Sequence, residues 1–475
     1  MIRSQRQVKQ GEFWVARNDL ARAQASRFYD KLQETLETLG FAAKVHARCA
    51  PVYSSGAKGR PPIDPVVYFK MLMVGFLENL PSERAIASRC GDSLMIRRFL
   101  GYELDEDTPH HSSFTVIRQR LPPEVFEAVF EIILAGLRAH GLLRGKNLGL
   151  DSSVMEANAS LRGLEHRNTG EAYWDYVRRL AAEAGVDAED AAAVRRFDRQ
   201  RPGRKTSNQE WVNPHDPDAK VAPAKDGAID MLYKPEHVVD LDTGAVVSAE
   251  VRLADQADTT DLAERVMASV ALVEAQREEA QEAQEKTVPA VPRTLTGDKG
   301  FYSVAELEVL QSCGLKTVIS DPLLWRRVDK LAPTQRAVVR RARQAAQSRY
   351  GKDLLRRRGM HIERSFAHLL DCGGMRRATL CGQVNLDKRY KIAAAAYNLS
   401  QLMRHLFGIG TSKQAAAAVQ GALLRFRVAL QIALRPLRAI FRDCQRWVVN
   451  NVSFFFRPTS IEPHPAKIGV TSTDC

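Results

Sequence analysis

Cysteine is scarce in this chain, and no two cysteines form a pair in the sequence. Seven are scattered over 475 residues, and none of them belongs to a C-x-x-C motif. An odd, scattered set argues against a disulfide framework, and the missing C-x-x-C motif argues against a zinc site of the usual spacing. The cysteines are therefore typical of a protein from a reducing compartment.

Long apolar runs are missing as well. No segment approaches the roughly 18 continuous apolar residues that a membrane-spanning helix requires. The opening residues MIRSQRQVKQGEFW contain charges with no apolar stretch after them, so they do not resemble a secretory signal. We therefore expect a soluble cytoplasmic protein without a membrane partner.

Acidic residues are outnumbered by basic ones. The chain has 69 Lys and Arg against 56 Asp and Glu, which gives a formal net charge of +13. An excess of this size indicates a polyanionic partner, either nucleic acid or an acidic membrane face. The 45% of hydrophobic residues is enough for a sizeable core, and the length allows about three average domains.

The first 140 residues predict an N-terminal helical domain. Asp64 followed by Pro65 is a favourable helix start, because Asp can cap the helix and Pro fits its first position. Short helices are predicted at about 83–90, 93–100 and 111–120. They suit either a helix-turn-helix module that binds DNA or a plain helical bundle. If the module reads DNA, the basic residues of the last helix are the expected contacts, namely Arg118 and Arg120.

From Lys146 onward the pattern predicts a catalytic domain of mixed α/β type, over residues 141–410. Short strands alternate with longer excursions, and the first strand is followed by a predicted helical insertion at about 155–228. The strand order favours a ribonuclease-H-like mixed sheet of about five strands with helices. The predicted strand segments are NLGLDSS, HVVDLD, AVVSAEVRL, RTLTGDKG and LKTVIS.

Two predicted strands end in an acid, namely Asp151 and Asp298. Acids at the ends of neighbouring strands can converge at one edge of a sheet. Phosphodiester cleavage by two metal ions needs such convergence, and Mg²⁺ prefers oxygen ligands. Either residue taken alone is equally well explained as the cap of a loop.

Glu363 is the third candidate. On a helix it would interrupt an apolar stripe that includes Met360, Phe366 and Leu370. A buried carboxylate needs a cation, a metal or a proton, so we expect a metal, with Arg364 or Arg377 as the structural alternative. The first two acids are 147 residues apart, and Glu363 follows Asp298 by 65 residues.

At these acids the sequence resembles bacterial insertion-sequence transposases of the DDE type. The likeness covers about residues 50–412. It begins with the helical segment GRPPIDPVVYFKMLMVGFLENLPSERAIASRC and includes the hairpin region before AVVSAEV. The three acid motifs of the family resemble LGLDSSVMEANA, LTGDKGFYS and HIERSFAHLL, and the segment after the glutamate resembles GGMRRATLCGQVNLDKRYKIAAAAYNLSQLMRHLFGIGT.

The resemblance implies a DNA transposase with Asp151, Asp298 and Glu363 as catalytic metal ligands. It implies two Mg²⁺ ions, with Mn²⁺ as a substitute, and double-stranded DNA as partner, both the element ends and the target. It implies hydrolysis that frees a 3′-hydroxyl and attack of that hydroxyl on target DNA. A homodimer or higher assembly on the DNA, at the bacterial nucleoid, would carry this out.

One position departs from the family. Many relatives have a basic residue about seven positions after the glutamate, where this chain has Leu370. Other basic side chains, near the acids or in the Arg-rich segment before Glu363, would then bind the scissile strand. The candidates for phosphate contact are Lys299, Arg357, Arg358, Arg364, Arg376 and Arg377.

The C-terminal region, residues 411–475, predicts a basic helix and a disordered tail. The basic face of the helix would consist of Arg435, Arg438, Arg442 and Arg446. Such a helix can lie on DNA or a membrane, or pack on its own protein.

Two other functions remain open from the sequence: a stand-alone nuclease of the same fold, and a DNA-binding regulator without catalysis. The intact set of three acids argues against the regulator.

Overall fold

The computed structural model describes residues 26–53, 62–202, 207–324 and 331–414 as continuous stretches. It also describes residue 328 and, near the C-terminus, residues 417, 425–427, 429, 432 and 442–446. The chain divides into two compact units, Met1–Ala415 and Ala416–Cys475. In the second unit, Arg442 and Arg446 are helical and exposed, whereas Arg435, Arg438 and the predicted disordered tail lie outside the described residues.

The described residues between 26 and 139 form seven helices and no strand, as the sequence predicts. The predicted short helices lie within one or two residues of their observed bounds. The seven helices are α1 (Ser26–Thr38), α2 (Phe41–Cys49), α3 (Pro65–Leu77), α4 (Glu83–Asp92), α5 (Leu94–Leu100), α6 (His111–Arg120) and α7 (Pro123–Ala139).

Helix α3 is the centre of this helical module. Asp64 caps it by accepting a hydrogen bond from the Val66 N–H at 2.8 Å, and Pro65 occupies its first turn. Almost every residue of α3 is buried, which agrees with its continuous apolar sequence. Helix α4 packs close to Gly75, because a Cβ at that position would lie 2.4 Å from the Ile86 side chain. The module is therefore built around α3.

Seven strands form one mixed sheet in the described part of the chain, two more than the sequence predicts. Its main path runs β7-β6-β1-β8-β9, and the short β2 and β5 pair with the same long strand, β6. This order is consistent with a ribonuclease-H-like sheet. The strands are β1 (Asn147–Ser152), β2 (Met155–Glu156), β5 (Lys220–Pro223), β6 (Ile229–Asp240), β7 (Val246–Leu253), β8 (Thr294–Gly297) and β9 (Lys316–Ile319).

The centre of the sheet brings the acid-bearing strands side by side. β1 is parallel to β8 and antiparallel to β6, and β8 is parallel to β9. The paired residues are mostly buried Leu, Val, Ile and Thr, which suits strands covered on both faces. Because β1 and β8 are parallel neighbours, residues that follow them emerge at the same edge of the sheet.

The insertion after the first strand is mixed, and the prediction of a helical insertion is wrong in this respect. It contains two helices, α8 (Tyr173–Glu183) and α9 (Ala191–Gln200), and a small two-stranded sheet of β3 (Glu165–His166) and β4 (Trp211–Val212). Tyr173 and Tyr176 of α8 contact the Trp211 ring at centroid distances of 5.2 and 5.3 Å. Strands of two residues are too short to give a periodic signal, which explains the error.

Five further helices cover the sheet. Helix α13 packs directly on β1: a Cβ at Gly149 would lie 2.4 Å from Leu241 and 3.2 Å from Ile362, so only glycine permits this approach. A short π-helix, Ala367–Cys372, continues α13. The helices are α10 (Leu262–Glu282), α11 (Val304–Ser312), α12 (Pro333–Gln347), α13 (Arg349–Phe366) and α14 (Gln383–Phe407). In the described residues, no helix is long and apolar enough to cross a membrane.

Helix α14 joins the helical module to the sheet. On one side, buried Lys388 donates to the carbonyls of Arg118 and Leu121, at 3.0 and 2.8 Å, and so caps the end of α6. On the other side, the Asn398 amide donates to the Val246 carbonyl and accepts from its N–H, at 2.8 and 3.0 Å. Asn398 thus satisfies the free edge of β7, and module and sheet form parts of one compact unit.

Candidate active site

Asp151 is the penultimate residue of β1, at the edge of the sheet. Its Oδ1 accepts a hydrogen bond from the Ser152 N–H at 2.9 Å, and its Oδ2 accepts one from Arg358 Nη1 at 2.8 Å. Arg358 comes from α13, the helix that packs over β1. Both oxygens of the carboxylate therefore have a partner from the protein itself.

Asp298 follows β8 directly and turns the chain. Its Oδ1 accepts a hydrogen bond from the Gly300 N–H at 2.7 Å, which starts a single 3₁₀ turn over Lys299–Phe301. The loop-cap role considered from the sequence is thus present. Asp298 also remains partly exposed at the sheet edge.

Asp151 and Asp298 interact electrostatically. Burial raises the pKa of Asp151 above its ordinary value, Arg358 and the Ser152 N–H lower it, and the negative charge of Asp298 raises it again. The structure therefore brings together the two strand-end acids that the sequence singled out. A carboxylate that is both partly buried and close to a second carboxylate favours a cation at this edge.

Glu363 does not occupy the buried stripe that the sequence predicts. Its side chain is exposed, and the buried face of α13 is formed by Leu354, Ile362 and Phe366. Within the described residues, no ion pair joins Glu363 to Arg364 or Arg377. The prediction of a buried carboxylate is wrong, because Ile362 packs on β1 and the next residue on the helix, Glu363, is exposed.

The three acids have the donor chemistry of a magnesium site but not its arrangement. Among the residues that the structure describes, no group of three His, Cys, Asp or Glu side chains could hold a metal ion. One oxygen of Asp151 is held by Arg358 instead, and Glu363 points to solvent. In this structure the carboxylates therefore fit a divalent cation by type, and a cation would require Arg358 to move.

A fourth acid, Asp258, belongs to the same edge and was missed by the sequence reasoning. Its Oδ1 accepts from Ser152 Oγ at 2.9 Å and from Lys234 Nζ at 3.2 Å. Its Oδ2 and the Oδ1 of Asp298 lie 3.2 and 3.0 Å from the position of a Cβ on Gly300. Asp258 sits in the loop before α10, where no strand or apolar pattern distinguishes it, so the sequence held no signal for it.

Four of the predicted DNA-contacting arginines are engaged within the protein. Arg118 is buried and forms an ion pair with Glu83, so it supports packing and is not available to DNA. Arg357 pairs with Asp242 and Asp353, and Arg376 pairs with Asp371. Arg358, as described above, holds Asp151.

The other four predicted contacts are exposed: Arg120, Lys299, Arg364 and Arg377. Arg120 lies over the Tyr53 ring at 5.4 Å from its centroid, at the rim of a cavity of about 1110 Å³ between α4 and α6. Lys299 follows Asp298, and Arg364 follows Glu363. The exposed cations near the acids are therefore placed where a phosphate backbone could reach them.

His237 fastens α13 to the sheet beside Asp151. In the pairing of β1 with β6 it is the register partner of Asp151, and its side chain is fully buried. Its ring contacts Ser365 Oγ at 2.8 Å and Tyr390 Oη at 2.6 Å, and it stacks on Phe366 at 4.1 Å. Burial lowers the pKa of His237 to about 3, so its imidazole is neutral.

A mixed sheet with two acids at the ends of adjacent parallel strands is consistent with the ribonuclease-H-like class of nucleic-acid enzymes. Two family models match the chain: a transposase domain (DUF772) over residues 18–120, and a transposase DDE domain over residues 326–403. The first covers the helical module from α1 to α6, and the second includes Glu363. Together they support the identification of the chain as an insertion-sequence transposase of the DDE type. No curated protein and no solved structure matches the chain.

Proposed function

We propose that this transposase binds the ends of its own element, cleaves phosphodiester bonds there, and joins the freed 3′-hydroxyl to target DNA. The observation that carries the proposal is the pair of acids at adjacent parallel strand ends, Asp151 and Asp298. The match of the DDE family model to residues 326–403, the segment that contains Glu363, supports the proposal of Glu363 as the third acid.

Asp151, Asp298 and Glu363 are the residues that would hold two divalent cations, Mg²⁺ or Mn²⁺. Such ions would supply charge stabilisation and an activated nucleophile for the displacement. The chain's own part is to position three carboxylates: β1 and β8 fix the first two, and α13 carries the third. His237 and Gly149 support this by fixing α13 on β1.

DNA binding in this proposal is divided between two surfaces. Near the acids, Lys299, Arg364 and Arg377 would bind backbone phosphates and set the position of the strand. In the helical module, the surface near α6 and Arg120 would distinguish the element ends. A homodimer or higher assembly would hold both ends and the target.

The test is a set of single substitutions in the full chain: Asp151→Ala, Asp298→Ala and Glu363→Ala. Each should abolish cleavage of end-containing DNA in Mg²⁺ and leave DNA binding largely intact, because the acids contact cations and not the backbone. Glu274→Gln, an exposed acid of α10, is the matched control and should keep full activity. Ca²⁺ should support binding with little cleavage.

Four results would contradict parts of this proposal. Near-normal cleavage by Asp298→Ala, or activity in excess chelator, would overturn the metal-dependent mechanism. Cleavage without any joined product would show that the protein acts as a stand-alone nuclease. Binding with no cleavage under any metal would leave a DNA-binding regulator.

A further inference from the structure

The contact between Arg358 and Asp151 leaves hydrogen-bonding groups of the guanidinium unused. It is a single hydrogen bond, from Nη1 to Oδ2 at 2.8 Å, although a guanidinium and a carboxylate can form two. The Arg358 Nε is buried and has no hydrogen-bond partner among the described residues. The side chains remain 17% and 22% exposed. The pair is therefore incompletely satisfied and open to solvent on one side.

We propose that Arg358 occupies the cation position of Asp151 in the DNA-free protein and exchanges its partner when DNA binds. A backbone phosphate would take over the guanidinium, and Asp151 Oδ2 would become free for a divalent cation. This inference rests on the proposed function, since it takes Asp151 as a cation ligand.

The first step follows from competition for one atom. Asp151 Oδ1 accepts from the Ser152 N–H, and Oδ2 accepts from Arg358. A cation at Oδ2 therefore has to displace the guanidinium.

The second step follows from charge. Removing Arg358 alone would leave a partly buried carboxylate facing Asp298, and an uncompensated charge of this kind is costly. A cation that binds Asp151 as Arg358 leaves replaces the positive charge of the guanidinium. The transfer of Arg358 from Asp151 to a phosphate and the binding of a cation to Asp151 are then each favourable only when the other occurs. DNA and cation should therefore bind cooperatively.

The third step concerns the new partner of Arg358. A guanidinium has five N–H donors, and only one of those of Arg358 is used toward Asp151. A phosphate can accept two of them side by side and could also satisfy the buried Nε. The Arg358 side chain is itself 17% exposed, so a backbone phosphate can approach it from solvent.

The experiment measures Ca²⁺ binding to the full chain by titration calorimetry, without DNA and with a short duplex of arbitrary sequence. Without DNA, Arg358→Gln should bind Ca²⁺ at least about fivefold more tightly than wild type, the low end of ordinary coupling between sites. Arg356→Gln, which removes an equal charge from an 80% exposed position of α13, should change nothing. Arg358→Lys keeps the charge and checks that the effect depends on the guanidinium's geometry.

The duplex supplies the second arm. It should raise the Ca²⁺ affinity of wild type and leave that of Arg358→Gln unchanged, and Ca²⁺ should raise the DNA affinity of wild type by the same factor, because coupling is reciprocal. Equal Ca²⁺ affinities for wild type and Arg358→Gln would overturn the exchange. Failure of the proposed function has a different signature, since Asp151→Asn and Asp298→Asn would then leave Ca²⁺ binding unaltered.

Discussion

His237 is a polar residue buried between β6 and the helices α13 and α14, and its hydrogen bonds define one tautomer of the imidazole. Ser365 Oγ donates to the Ile362 carbonyl at 2.8 Å, so it accepts from His237 Nδ1. His237 Nε2 is then an acceptor, and Tyr390 donates its hydroxyl proton to it. Each proton in this series of hydrogen bonds has one acceptor, and a second proton on the ring would force the Tyr390 hydroxyl to accept and to turn its own proton away.

This arrangement predicts a pH dependence of stability. The folded pKa of His237 is about 3, below its ordinary value of 6.5. The unfolded chain therefore binds the proton first as the pH falls, and the stabilisation is present above about 6.5 and is lost as the pH falls toward 3. Between pH 7 and pH 5, wild type should lose about 2 kcal/mol of unfolding free energy through this residue.

His237→Asn, which cannot titrate, should lack that loss. Urea unfolding of wild type and variant at the two pH values gives the difference. His405→Asn, at an exposed position of α14, is the control and should behave like wild type. Equal pH dependence for wild type and His237→Asn would show that the pKa of His237 is the same in the folded and the unfolded chain.

At the scale of single residues, the sequence predicted which acids follow the strands better than it predicted the burial and the partners of each side chain. Asp151 and Asp298 could be found because each follows a recognisable strand, and their shared edge follows from parallel pairing. Glu363 was predicted from an apolar stripe and from the family resemblance, and its role stays a prediction. Its exposure depends on how α13 lies on β1, which periodicity alone does not give. Arg118 appeared available for the same reason, since its partner Glu83 lies 35 residues away on another helix.

At the scale of elements, α6 has an exposed stripe that suits recognition of DNA. Four polar or small apolar residues recur at helical spacing on it: Ser112, Thr115, Val116 and Gln119. Hydrogen-bonding groups can read base edges, and an apolar side chain such as Val116 can contact a thymine methyl. This stripe replaces Arg118 as the expected reading surface of the helix.

Gln119→Ala should therefore reduce the preference for element ends by about 1–3 kcal/mol, the usual value of one bidentate base contact. The measurement is competition between an end sequence and scrambled DNA at fixed salt. Gln347→Ala, at an exposed position of α12, serves as the control and should keep the full preference. If a variant with all four stripe residues changed still prefers the ends, recognition lies in the insertion or in the basic C-terminal region.

The elements were predictable where they are long and periodic. Strands β1, β7, β8 and β9 and most helices lie near their predicted positions, whereas β6 begins at Ile229, eight residues before the predicted segment HVVDLD. The strands of the insertion were not predictable, because β3 and β4 depend for their stability on each other and on the contacts of Trp211 with Tyr173 and Tyr176. β2 and β5 were missed for a related reason, since they exist only by pairing with the end of β6.

At the scale of the whole molecule, the charge of +13 predicts strongly salt-dependent DNA binding. With about 6–10 phosphate contacts, affinity should fall roughly 10³–10⁵-fold between 50 and 200 mM salt. Arg364→Gln should lower the slope of log affinity against log salt by about one contact and weaken end and scrambled DNA alike. Arg178→Gln on α8 removes the same charge from the insertion, and a slope lowered as much there would extend the DNA surface beyond the acids.

The capping of α6 by Lys388 also limits how such a protein can change its target. The helical module and the sheet share α14, so the module cannot be exchanged for an unrelated one without exposing carbonyls of Arg118 and Leu121 and the buried face of that helix. Transfer of end specificity between elements by recombination at residue 140 would therefore yield chimaeras with mismatched cores. New specificities should arise by single substitutions on the outer surface of α6, and each protein should diverge together with its own element ends.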